Sequence, residues 1–250
     1  GSFEFTPEAS KRYSALVRDL STGEERMIDL PLPETKGLTL QVVNNPSASY
    51  LTVFIQGIGE PGDLLLVSQT RGIINYMIQG KLANGVWGVR IPKSNLIRGI
   101  NQISILDSLG VPLLERLVFF ENDDQIQLNI STTGAISPRS KIALDISSQF
   151  DGQPIEASFS MAVVDAEQVS DLSMEETIFS SLLLSSDLKG KIYQPGKYFD
   201  SENPNRMRDL DLVMLTHGWS RFNWDNTISQ NFPKIDYFIE RGINLEGQIS

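Results

Sequence analysis

The residues with the most reactive side chains lie close together near the carboxyl end of the sequence. The only histidine, His217, follows Asp209 and Asp211 and precedes Ser220. Histidine is the side chain best suited to accept and return a proton near neutral pH. A serine, a histidine and an aspartate can form a nucleophilic site when their side chains are within hydrogen-bonding distance. This stretch is therefore the first place to look for catalysis.

The spacing and the setting of these residues argue against a catalytic centre. Asp209 and Asp211 are two positions apart, so on a helix their carboxylates point to different faces and cannot share a proton. Ser220 does not lie in the Gly-x-Ser-x-Gly turn that exposes a serine nucleophile. His217 continues an apolar helix face, as a packed histidine does. We predict that the protein is not an enzyme, and we keep a hydrolase built on His217 and its neighbours as the second alternative.

Aromatic residues and an arginine follow the histidine directly. Trp219, Phe222 and Trp224 could form a stacking platform for a sugar or a peptide, or a hydrophobic plug against a neighbouring sheet. Their spacing beside a helix end favours packing. We therefore predict a cluster for interaction or packing that consists of His217, Trp219, Arg221, Phe222 and Trp224.

The composition argues against several other kinds of site. The 250 residues include no cysteine and one histidine, which excludes thiolate chemistry and leaves few ligands for zinc. We expect no metal and no organic cofactor. The formal net charge of −10 argues against nucleic acid as a partner, because phosphates are neutralised by clustered lysine and arginine. No apolar run approaches the roughly 20 residues of a membrane span, so we expect this chain not to cross a membrane.

The elements around these residues are mostly strand-like. Leu51, Val53 and Ile55 alternate with Thr52 and Phe54, which is the period of a strand with two unlike faces. Short β-favouring runs separated by glycine, proline and asparagine turns predict an antiparallel sandwich. The predicted strands of this first half are residues 13–18, 26–30, 38–43, 50–56, 64–68, 73–79, 86–91, 102–106 and 113–120.

The second half begins with strands and then changes to a helical period. An acidic break at 121–124 is the candidate domain boundary. Strands are predicted at 126–130, 141–147 and 156–164, with a hairpin turn at Asp151 and Gly152. A first helix is predicted from a capping box at 173–176, and a second from Asn203-Pro204 to Gly218. We expect these helices to dock on a second sandwich through the apolar residues Leu182, Leu183, Leu210, Met214 and Trp219.

Several segments resemble one known family. Residues 115–119, 137–142 and 160–165 look like parts of the macroglobulin-like domains of proteins related to α2-macroglobulin. Residues 182–190, 194–199 and 210–219 are similar to large cell-envelope proteins of Bacteroidetes-type bacteria. In that family, macroglobulin-like domains precede a carboxypeptidase-regulatory-like domain and often a TonB-receptor plug-like domain. The thioester that traps proteases in true α2-macroglobulins requires a cysteine, which this chain lacks.

The resemblance implies a mainly β fold with two macroglobulin-like antiparallel β-sandwich domains. We expect the first at residues 3–121 and the second at 122–240, with a helical insertion at about 173–222 and the start of a following module at 241–250. It implies a non-catalytic structural or interaction segment of an envelope protein, in the periplasm or at the outer-membrane surface, linked to TonB-dependent uptake. The expected partners are other envelope proteins or other domains of the same chain. A carbohydrate- or peptide-binding accessory sandwich is the first alternative.

Overall fold

The structure is a computed structural model that describes residues 5–59, 62–122, 125–134, 137, 139–159, 161, 163–165, 174–218, 226, 229–231 and 234. In these residues the fold is mainly β, and each pair of neighbouring strands runs antiparallel. The mainly β fold predicted from the sequence is confirmed.

The strands and helices follow the chain order. Within the described ranges the strands are β1 (Ser14–Arg18), β2 (Glu25–Asp29), β3 (Gly37–Val43), β4 (Tyr50–Ile58), β5 (Leu64–Thr70), β6 (Ile73–Gly80), β7 (Val86–Pro92), β8 (Gly99–Leu106), β9 (Pro112–Phe120), β10 (Gln127–Thr133), β11 (Ala143–Phe150) and β12 (Gln153–Pro154). The helices there are α1 (Ile178–Leu183) and α2 (Arg206–Thr216), with 3-10 turns at Lys93–Asn95, Ser185–Asp187 and Pro195–Tyr198.

Two sheets with one shared core form a sandwich between residues 37 and 120. One sheet has the order β3-β4-β7 and the other the order β6-β5-β8-β9. The alternation predicted for β4 is confirmed, because Leu51, Val53 and Ile55 are buried in the core. They meet Leu66 from β5 and Ile103 from β8 there. Burying such a side chain stabilises a fold by about 1.5–3 kcal/mol, so this core is the main source of stability in the described structure.

The hairpin β1-β2 and the sheet β10-β11-β12 are separate from both layers of the sandwich. The turn predicted at Asp151 and Gly152 is confirmed. Both residues have positive φ, 49° and 71°, and they connect β11 to β12. This is the backbone that a two-residue hairpin loop requires.

The strand predicted at residues 156–164 is wrong where the structure describes it. Pairing with β11 ends at Ile155, whose N–H donates to the Ser148 carbonyl at 3.1 Å, and residues 156–159 are irregular. A strand needs a partner for its backbone groups as well as strand-forming residues, and the described chain supplies none beyond Ile155.

The first helix differs from its prediction. It is capped by Thr177, whose hydroxyl accepts from the Ser180 N–H at 3.1 Å, and Ser180 completes the capping box. The predicted cap, Ser173, lies outside the described residues. Leu182 was expected on the docking face, but its side chain is 54% exposed.

The second helix agrees better with its prediction. It begins at Arg206, two residues after Pro204, and its C-cap is His217. Leu210 and Met214 are buried, as predicted from their helical spacing. The pattern therefore located the buried face of α2 correctly.

The surface that receives the helices is not the predicted one. Leu210 and Met214 pack against Leu117 and Phe119 of β9 and Ile100 of β8. Docking of the helices on the second sandwich is therefore wrong. The physical reason is that β8 and the end of β9 carry apolar residues on both faces, so the face turned away from the sandwich core also needs a cover. The continuous apolar run at 117–120 is the signal in the sequence that indicated burial on both faces.

Candidate functional site

Of the predicted cluster, the structure describes His217 alone. Trp219, Arg221, Phe222 and Trp224 lie outside the described residues, as does Ser220. The His217 N–H donates to the Val213 carbonyl at 2.8 Å, and its Nδ1 lies 3.2 Å from the Thr216 hydroxyl oxygen. These contacts end helix α2. They orient His217 as part of the helix terminus.

The candidate site that the described residues do define is the junction between the helical segment 174–218 and the sandwich. Three ionic contacts surround its apolar centre. In the first, Arg116 Nη2 lies 2.8 Å from Asp211 Oδ1, with the arginine 13% and the aspartate 52% exposed. Asp211, one of the aspartates near His217 in the sequence, therefore binds an arginine of β9.

Glu121 is the centre of the second contact. Its Oε2 lies 2.6 Å from Arg206 Nη1 and its Oε1 lies 3.6 Å from Arg98 Nη2. The three side chains are 15–26% exposed. The Arg98 guanidinium also lies 5.5 Å from the centre of the Phe179 ring. The sequence places Glu121 in an acidic break, but the structure uses it to connect β9 to α2.

Arg71 makes the third contact from the turn between β5 and β6. Arg71 and Gly72 both have positive φ, 52° and 85°. The Arg71 Nε lies 2.7 Å from Asp187 Oδ2, and its Nη2 donates to the Leu182 carbonyl and the Ser186 hydroxyl. An exposed turn of the sandwich therefore contacts the end of α1 and the 3-10 turn that follows it.

A cleft of about 290 Å³ lies between α2 and the strands β8 and β9. Its sheet side is polar. Gln102 Nε2 donates to Glu115 Oε1 at 2.9 Å, and the Ser104 hydroxyl donates to the same oxygen at 3.3 Å. Gln69 donates in turn to Gln102 at 3.2 Å. These hydrogen bonds hold the Glu115 carboxylate in place, with its Oε1 as the acceptor. The residues around the cleft are Gln102, Glu115, Arg116, Leu117, Met214, Leu215 and Gly218.

The described residues include no group of three or more histidine, cysteine, aspartate or glutamate side chains placed to hold a metal ion. Within the same residues, no helix has the length and apolar character needed to cross a membrane.

Two side chains, Lys93 and Asp19, have displaced pKa values. Burial lowers the pKa of Lys93, and the hydroxyl of Ser21, followed by the Ser21 and Thr22 N–H groups, lowers the pKa of Asp19.

The chain matches no protein-family model and no curated protein. The macroglobulin-like resemblance therefore stays a prediction.

Proposed function

We propose that this chain is a non-catalytic structural and interaction segment of a bacterial cell-envelope protein, associated with TonB-dependent uptake. In this proposal it contains two macroglobulin-like sandwich domains, at 3–121 and 122–240, followed by the start of another module at 241–250. Its partners are other envelope proteins or other domains of the same chain.

The observation that carries the proposal is the junction. Asp211 is paired there with Arg116, and Glu121 with Arg98 and Arg206. The centre of the junction is apolar and holds the helical segment against β8 and β9. An arrangement of this kind sets the position of one segment relative to another, which is the task of a structural module.

The test separates docking from catalysis. Leu210→Ala removes a side chain that is 1% exposed at the junction, and Leu215→Ala on the same helix, 53% exposed, is the matched control. We expect Leu210→Ala to lower the hydrogen-exchange protection of residues 206–216 strongly and to leave β4 and β5 protected. Leu215→Ala is expected to change neither. Unchanged protection in Leu210→Ala would overturn the structural role of the junction.

The same protein is tested for turnover on peptide and glycoside substrates. We expect no hydrolysis above the uncatalysed rate. Turnover that disappears in His217→Ala or Asp211→Asn, with unchanged circular dichroism, would establish the hydrolase alternative. Fractionation of cells that make the full-length protein addresses its location, and recovery in the cytoplasmic fraction would contradict an envelope role.

A further inference from the structure

The outer face of the sheet β3-β4-β7 has an unusual composition. Alternate residues of β4 point to opposite sides, so Tyr50, Thr52 and Phe54 lie on the face away from the core. The strand register places Thr52 between Val43 and Arg90, and pairs Phe54 with Gln41 on one side and Gly88 on the other. The complete outer face consists of Gly37, Thr39, Gln41, Val43, Tyr50, Thr52, Phe54, Gln56, Ile58, Val86, Gly88, Arg90 and Pro92.

This face carries no carboxylate. The strands β3, β4 and β7 contain no aspartate or glutamate, although the chain has 31 acidic against 21 basic residues. Arg90 is the one formal charge on the outer face. A region free of carboxylates repels an anionic ligand less than the rest of this acidic protein does, and an arginine within it attracts one.

The face is also grooved. A depression of about 540 Å³ is bounded by Val43, Tyr50, Phe54, Gly88 and Arg90, among others. Gly88 has no side chain, and the Phe54 ring lies 3.6 Å from where its Cβ would stand. The Arg90 guanidinium lies 4.8 Å from the centre of the Tyr50 ring. The floor of the depression is therefore aromatic and aliphatic. The Arg90 guanidinium contacts the Tyr50 ring, and it has no ion pair with a described carboxylate.

The depression continues towards helix α2. Val43 also borders a second depression of about 320 Å³, which includes Met207 and Arg208. Arg208 is exposed and has no ion pair with another described residue. The one carboxylate here, Asp211, is bound to Arg116. Each depression thus combines an apolar floor with an arginine that no described carboxylate neutralises.

We propose that this face binds an extended peptide segment in which carboxylate and apolar side chains alternate at every second position, on the side that faces the sheet. The proposal rests on the proposed function and names the surface and the partner chemistry. Apolar side chains of such a segment would cover the floor beside Phe54 and Gly88, and its carboxylates would meet Arg90 and Arg208, since the guanidinium group binds carboxylates in a bidentate way. In an extended chain every second side chain points to the same side, so a carboxylate and an apolar side chain at positions i and i+2 can both face the sheet.

The probe is a fluorescein-labelled octapeptide in which glutamate and valine alternate at the odd positions and serine occupies the even ones, titrated with the full 250-residue chain and followed by fluorescence anisotropy. We expect saturable binding that weakens as salt rises. Arg90→Ala should weaken it about tenfold, the usual effect of losing one hydrogen bond to a charged group. Arg26→Ala, a matched change of an exposed arginine on β2, should leave it unchanged.

A second variant tests the shape of the groove. Gly88→Val fills the depression, and Gly88 is outside the positive-φ region, with ordinary contact distances around an added Cβ. We expect a thermal unfolding midpoint close to that of the wild type and loss of peptide binding. Binding that is equal in the wild type, Arg90→Ala and Gly88→Val would overturn the inference, as would no binding at millimolar protein.

Two further probes identify the ligand class. A peptide with lysine in place of glutamate should not bind. Polygalacturonate, an anionic polysaccharide, should not compete with the acidic peptide, and competition that Gly88→Val abolishes would replace the peptide by a glycan. No peptide binding by the wild type, with normal protection of α2, would contradict this inference alone, whereas an undocked α2 in a wild type that binds the peptide would contradict the proposed function alone.

Discussion

The sandwich and the sheet β10-β11-β12 are built from the same alternating pattern but differ in burial. In β4, Leu51 and Val53 are 0% exposed, because a second sheet covers them. In β10, Leu128 and Ile130 are 44% and 59% exposed. Ile130 pairs with Ile146 of β11, so the apolar side chains of the two strands share one face. Equal alternation has therefore produced a buried face in one region and an exposed apolar face in the other.

The difference shows what alternation can predict. An alternating strand has two unlike faces, whatever lies against them. The stabilising free energy is proportional to the apolar area removed from water. In the described structure a second sheet buries the apolar face of β4, whereas Leu128 and Ile130 of β10 stay exposed to solvent. The two regions should accordingly respond very differently to the same substitution.

The largest expected effect compares isoleucines of the two regions. Ile55→Ala removes a side chain that is 0% exposed and should lower the free energy of unfolding by about 2–5 kcal/mol. Ile130→Ala, at 59% exposure, should change it by about 0.5 kcal/mol or less. Urea unfolding followed by circular dichroism measures both. Equal losses would mean that the face of β10 is covered in solution.

The next effect concerns how closely the sandwich is packed at its edge. A Cβ on Gly80 would lie 2.2 Å from the Trp87 ring, whereas one on Gly88 would lie 3.6 Å from its nearest neighbour, the Phe54 ring. Gly80→Ala should therefore cost about 1–3 kcal/mol of stability through overpacking, and Gly88→Ala should be tolerated. Thermal unfolding midpoints give the comparison. A Gly80→Ala protein as stable as Gly88→Ala would show that Trp87 moves away without cost.

An intermediate effect is expected where the sandwich meets the helices. Glu121→Gln leaves Arg98 and Arg206, 15% and 26% exposed, without their carboxylate. Breaking a fully buried pair costs more, but partial exposure reduces the loss to about 1–2 kcal/mol. Glu25→Gln in the exposed Arg18–Glu25 pair is the control and should cost less than about 0.5 kcal/mol. If both variants lose the same amount in urea unfolding, Glu121 does not connect the two segments.

The smallest effect lies in the exposed hairpin β1-β2. The Asp19 carboxylate accepts a hydrogen bond from the Ser21 hydroxyl at 2.6 Å, which holds its pKa below the ordinary value of 3.8. A lowered pKa means that this contribution to stability is present above pH 3.8 and is lost as the pH falls through the pKa of the folded state. In an NMR titration, Ser21→Ala should shift the Asp19 midpoint upwards. An unmoved midpoint would exclude the hydroxyl as the main cause.

Local patterns in the sequence are enough to predict several of the strands, turns and helices. Period-two alternation located β4, paired turn residues located the Asp151-Gly152 hairpin, and helical spacing located the buried residues Leu210 and Met214 of α2. These features depend on neighbours a few residues apart, so the side-chain order is enough to recognise them.

The folded structure alone shows which surfaces of distant segments are in contact. It placed α2 on β8 and β9, paired Arg116 with Asp211 across 95 positions of the chain, and made Glu121 a connecting residue. It also left the alternating face of β10 open while covering that of β4. Ion pairing and burial depend on residues far away in the sequence, and a local pattern states that a face needs a cover without stating which surface provides it.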